Sequence, residues 1–100
     1  MTPAEVLRAA RKLIERPENW VKGYFIDHIP GCRRFCATGA IRQVSNWSYT
    51  QADTDARDYL ARAADTEYIV AWNDQPNRTH VEVLAAFDAA IALANQETQP

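Results

Sequence analysis

No stretch of this sequence approaches the ~20 consecutive apolar residues that a membrane-spanning helix requires; runs such as Ala85-Ala86-Phe87 fall far short. Charged side chains stand near the N-terminus where a signal peptide would carry its apolar stretch. Basic blocks are also missing beyond Arg33-Arg34, and Lys+Arg 11 against Asp+Glu 13 leaves a formal net charge of -2. Phosphate binding draws on a clustered basic surface, so nucleic acid is not an expected partner, and neither is a membrane. Only two cysteines occur, Cys32 and Cys36, too few for the disulfide framework of a small secreted domain. Reduced thiols suit an intracellular chain, and the sequence reads as cytoplasmic.

What is present suits a single domain over residues 1–100, with 47% hydrophobic and 24% charged residues. The expected class is mainly α: a compact bundle of about four helices over residues 3–16, 33–45, 51–64 and 80–95, with a frayed tail at 97–100. Thr2-Pro3-Ala4-Glu5 forms a capping box with proline at the first helical position, and Val6, Leu7, Ala10, Leu13 and Ile14 recur at helical spacing. Pro17 ends that segment. Phe35, Cys36, Gly39, Ala40, Gln43 and Val44 make a narrow stripe of small residues suited to a closely packed neighbour, for which Trp72 is the expected occupant. Ser45 to Gln51 reads as a loop bearing Trp47 and Tyr49. The last helix is the clearest, opened by Thr79-His80-Val81-Glu82 and striped by Val83, Leu84, Phe87, Ala90, Ile91 and Ala94. The Tyr24–Asp27 stretch suggests a short strand. Tyr68–Trp72 suits either a strand or one helical turn, and if extended its natural mate is the Tyr24 region, giving a minimal two-stranded sheet.

The densest group of polar chemistry is Trp72-Asn73-Asp74-Gln75-Pro76-Asn77-Arg78-Thr79-His80, held between two segments that both seek burial. Trp72, Asn73, Asp74 and Arg78 are the candidate ligand or partner contacts; with Trp20 they would line a small-ligand pocket. Turning the chain accounts for part of this polarity, since Asn and Asp side chains cap turns. Two sharper constellations exist. Cys36 near a helix N-terminus, with Arg33 and Arg34 close by, would have its thiol pKa lowered, and His80 with Asp74 or Asn73 would complete a nucleophilic triad. His28, Cys32, Cys36 and His80 supply four nitrogen and sulfur ligands for a tetrahedral zinc. Their spacing departs from paired zinc knuckles, and His80 falls on an apolar stripe, so no metal, no cofactor and no catalytic residue is expected. Arg42, Arg57 and Arg62 read as solvated or weakly paired surface charges.

Phe35-Cys36-Ala37-Thr38-Gly39-Ala40, followed by Trp72-Asn73-Asp74 and then Arg78-Thr79 with Glu82-Val83-Leu84, resembles a family of small uncharacterised proteins from actinobacteria and their phages, a domain of unknown function. Cys36, Gly39, Ala40, Trp72, Asn73, Asp74 and Thr79 match its pattern, Phe35 stands where the family usually has Trp, and the likeness spans roughly residues 4–94. The resemblance implies a compact helical fold and, through a phage or mobile-element origin, a role in binding a host protein. The expected function is therefore a small soluble interaction protein with an unidentified protein partner, or a homodimer joined through Trp47 and Tyr49. The alternatives are a small-ligand domain using the Trp72–Arg78 loop and a thiol enzyme built on Cys36.

Overall fold

The computed structural model describes residues 1–98. Five helices and one hairpin follow in the order α1 (Pro3–Leu13), a 3-10 turn (Pro17–Asn19), β1 (Ile26–Ile29), β2 (Cys32–Phe35), α2 (Ala37–Val44), α3 (Gln51–Ala63), α4 (Ile69–Asp74) and α5 (His80–Thr98). The mainly helical fold with a minimal two-stranded sheet is thus present. Its core lies where α1, α2, α3 and α5 meet: Leu7, Ala10 and Ile14 pack with Ala40, Ile41, Ala56, Leu60, Val83, Phe87, Ala90 and Ala94. Alanine at so many of these positions lets helix backbones approach closely, while Phe87 fills the centre.

The helix starts follow the side chains written at them. Thr2 accepts from the Glu5 amide while Glu5 reaches back to the Thr2 amide, and Thr79 with Glu82 repeats the arrangement at α5. Thr50 accepts from the Asp53 amide to open α3. These bonds hold the Glu5 and Glu82 carboxyls below the usual carboxylate range.

Three expectations need correction. The segment expected as a helix from residue 33 is strand until Phe35, and α2 begins only at Ala37. The mate of β1 is therefore β2, antiparallel in the register Ile26 with Phe35 to Ile29 with Cys32, and not the Tyr68 stretch, which is α4. The cause is Pro30-Gly31: proline fixes φ near −65° and Gly31 takes φ +77, the residue pair of a type II turn that folds the chain back in two residues. The third concerns the tail: α5 continues to Thr98, beyond the expected end at 95, and residues 99–100 lie outside the described residues.

Candidate functional site

The polar stretch after Trp72 is turned inward. Asn73, the fifth residue of α4, is 0% exposed. Its Oδ1 accepts from the Trp20 indole Nε1 at 2.7 Å and from the Ala37 amide at 3.1 Å. Its Nδ2 donates to the Val21 carbonyl at 3.1 Å and to Asp74 Oδ1 at 3.0 Å. One side chain thus joins the segment after α1, the start of α2 and α4. Asp74 Oδ1 also accepts from the Gly23 amide at 2.9 Å, and Lys22 Nζ donates to the carbonyls of Gln75 and Pro76. Arg78 lies over the Trp72 ring at 4.2 Å, donates to the Trp72 carbonyl and pairs with Glu82. Asn73 and Asp74 serve different ends: the amide supplies both donor and acceptor inside the protein, and the carboxylate takes the Gly23 amide at its margin.

Cys36 is the N-cap of α2, its Sγ accepting from the Gly39 amide at 3.3 Å. With Asn73 taking the Ala37 amide, two of the helix's orphan donors are satisfied by side chains. Burial pushes the Cys36 thiol pKa up, aided by the Asp74 charge and opposed by the Gly39 and Thr38 amides. That reverses the lowering expected from the helix terminus, because the cap bond is outweighed by loss of water. His80 Nε2 sits 2.6 Å from the Ile14 carbonyl and its ring 6.0 Å from Trp20, so the imidazole is engaged with α1 and not with Cys36. Among the described residues no three His, Cys, Asp or Glu side chains are grouped to hold a metal, so His28, Cys32, Cys36 and His80 are not assembled into the zinc alternative. Iodoacetamide should alkylate Cys32 first at neutral pH, with Cys36 reacting only on unfolding. Rapid labelling of native Cys36, followed by mass spectrometry, would contradict this account of the thiol.

Trp72 is partly buried against the core that includes Ala37 and Ala40, but the space at Gly39 itself is taken by backbone. A Cβ on Gly39 would stand 1.9 Å from the Phe25 carbonyl oxygen, so the glycine makes room for the backbone entering the hairpin. A crevice of about 70 Å³ lies beside it, lined by Gly23, Tyr24, Phe25, Cys36, Val70 and Asp74, well below the ~300 Å³ at which small-molecule sites begin.

The loop between α2 and α3 has a different construction. Arg42, expected on the surface, is buried: Nη1 meets Asp53 Oδ2 at 2.8 Å and the Ser48 carbonyl at 3.0 Å, and Nη2 meets the Trp47 carbonyl at 2.9 Å. Asp53 is 0% exposed and is shared with Arg57. Two of the Arg42 N–H groups are spent on loop carbonyls, so the buried pair ties the loop backbone to α2 and α3, with Asp53 Oδ1 left unpartnered among the described residues. What it holds is a strained chain, because Asn46 and Trp47 both lie in the left-handed region at φ 52 and 60. Yet the loop displays apolar side chains outward: Tyr49 is 82% exposed, Trp47 40% and Phe25, which meets Trp47 edge-on at 6.3 Å, 49%. The Arg42 guanidinium lies under the Tyr49 ring at 4.1 Å.

A family model described as a family of unknown function, DUF6197, matches residues 1–93. The chain belongs to this family. No curated protein and no solved structure matches it. The DUF6197 match takes in the Asn73 hub, the hairpin and the aromatic loop alike. In this DUF6197 chain the residues singled out from sequence, Trp72, Asn73, Asp74 and Arg78, do come together, but on internal partners. Nothing in the sequence marks Arg42, Asp53 or Phe25 as part of a site. The Thr50-x-x-Asp53 spacing marks a helix start, and nothing in it tells that the carboxylate also receives two arginines.

Proposed function

We propose that this chain is a protein-binding module whose contact surface is the α2–α3 loop with the residue before β1: Trp47, Tyr49 and Phe25. The observation that supports the reading is the pairing of rigidity with exposure. A buried Arg42–Asp53 pair and two left-handed residues hold the loop in one conformation, while its aromatic rings stand in solvent. Aromatic side chains preset in this way bind with little ordering cost, which is why they dominate interface energetics. On the resemblance to proteins of actinobacteria and their phages, the partner is a host protein and the chain its modulator, acting in the cytoplasm.

Affinity capture from a lysate of the host tests this. Wild type should retain a stoichiometric partner that the Trp47→Ser, Tyr49→Ala double variant releases, with both proteins giving the same circular dichroism and melting profile. Equal capture by the variant would sink the assignment of this surface.

A further inference from the structure

β1 has one edge paired to β2, and the register fixes which groups lie along the other. Across a two-residue turn Ile29 and Cys32 are a hydrogen-bonded pair, so His28 with Arg33 and Ile26 with Phe35 are non-hydrogen-bonded pairs whose N–H and C=O groups point away from the ladder. On β2 these outward groups are used: Asn19 Nδ2 donates to the Arg33 carbonyl at 3.0 Å, and the Val21 amide to the Phe35 carbonyl at 3.1 Å. On β1 the backbone groups of Ile26 and His28 have no partner among the described residues. Proteins usually cover such an edge, because it is a template for another strand.

Two further observations say what would occupy it. Phe25 leads directly into β1 while meeting Trp47 edge-on, so the open edge is continuous with the aromatic loop. The charges on the hairpin are unequal. Asp27 is taken by Arg34, whereas His28 and Arg33 stand opposite each other with no acidic side chain paired to either among the described residues. A second copy of the chain suits this edge poorly. Two-fold antiparallel pairing centred on Asp27 sets carboxylate against carboxylate, and centred on His28 it brings the Arg33 residues of both copies to one face with no acidic side chain between them.

We infer that the β1 edge receives an extended acidic segment of a partner protein by strand addition, its backbone pairing with Ile26 and His28 and its carboxylates facing His28 and Arg33. This rests on the binding-module reading above and gives the partner its chemistry.

The test uses His28→Pro. The His28 amide points outward, so proline removes an edge donor without breaking a ladder bond, and edge strands accept proline. A displayed library of random dodecapeptides is selected on the immobilised full chain, and the enriched peptides are synthesised and titrated by calorimetry. The selected sequences should alternate β-branched or aromatic residues with Glu or Asp, and the Ile26 and His28 amides should gain exchange protection in the complex. His28→Pro should weaken binding about tenfold, the loss expected for one interfacial hydrogen bond, and Arg33→Glu should also weaken it. Where His28→Pro does not fold, N-methylation of alternate peptide amides replaces it, and binding that survives methylation in both phases refutes strand addition. Selection of basic peptides, or a dimer of the free chain that His28→Pro dissociates, also overturns the inference. Loss of peptide binding in Trp47→Ser, Tyr49→Ala with none in His28→Pro refutes the edge and leaves the aromatic loop; the reverse pattern supports the edge and refutes the loop.

Discussion

Asn73→Leu should destabilise the protein by about 4 kcal/mol in urea melts. Leucine keeps the branched skeleton of asparagine and is the larger side chain, so the cost is not a cavity. It is the stranding of three groups: the Trp20 indole N–H, the Ala37 amide and the Val21 carbonyl all lose their partner. A buried polar group left alone costs about 1–3 kcal/mol, and the partial exposure of Trp20 puts its share at the low end. A double-mutant cycle separates the hub from simple misfit. Trp20→Phe removes one stranded donor, so the pair Trp20→Phe, Asn73→Leu should be about 1 kcal/mol less destabilised than the sum of the single changes. Additive losses would mean that the indole is satisfied by water and the hub is smaller than drawn.

Gly39→Ala should cost about 3 kcal/mol or more, and the sign of the effect decides between two accounts of the glycine. Helix propensity alone would make alanine the better residue by ~1 kcal/mol. The space around it says the opposite: the new Cβ would meet the Phe25 carbonyl oxygen at 1.9 Å and its carbon at 2.6 Å. Both are backbone atoms, so no rotamer change relieves the overlap, and the hairpin entry must move away from α2. Overpacking of side chains alone costs about 1–3 kcal/mol, and here the Cys36 amide would also lose its bond to the same carbonyl. An unchanged or raised urea midpoint would show that the hairpin floats free of α2.

The helical part of the fold was legible because its signals are local. Thr2, Thr50 and Thr79 each stand where a helix opens, and the stripe Val83, Phe87, Ala90, Ala94 turns inward as its spacing requires. The hairpin was obscured for a physical reason. Arg33 to Val44 keeps an amphipathic helical spacing throughout, while the decision to extend residues 32–35 is made by Pro30-Gly31 and by the room that Gly39 leaves for Phe25. The stretch from Trp72 to Arg78 was recognisable as a polar cluster, but whether such a cluster faces solvent or the interior depends on what lies 36 and 53 residues away in Ala37 and Trp20. Arg42 was hidden in the same way, since a helix-face arginine becomes a buried one only through Asp53 and the carbonyls of a loop bent into the left-handed region.

Asn73 has a consequence for how the molecule opens. The helices α1, α3 and α5 bury their apolar faces against one another, whereas the region from Trp20 through the hairpin is tied through the α4 amide and its neighbours Asp74, Gln75 and Pro76. Losing the Asn73 bonds should loosen residues 20–36 and 69–78 together, with Phe35 and Ile69 still packed on the core. These two segments, distant in sequence, are therefore expected to open as one unit at a free energy below that of global unfolding, which hydrogen exchange of their amides would read. The free β1 edge belongs to that unit, so a partner strand bound there would slow the opening of α4 as well.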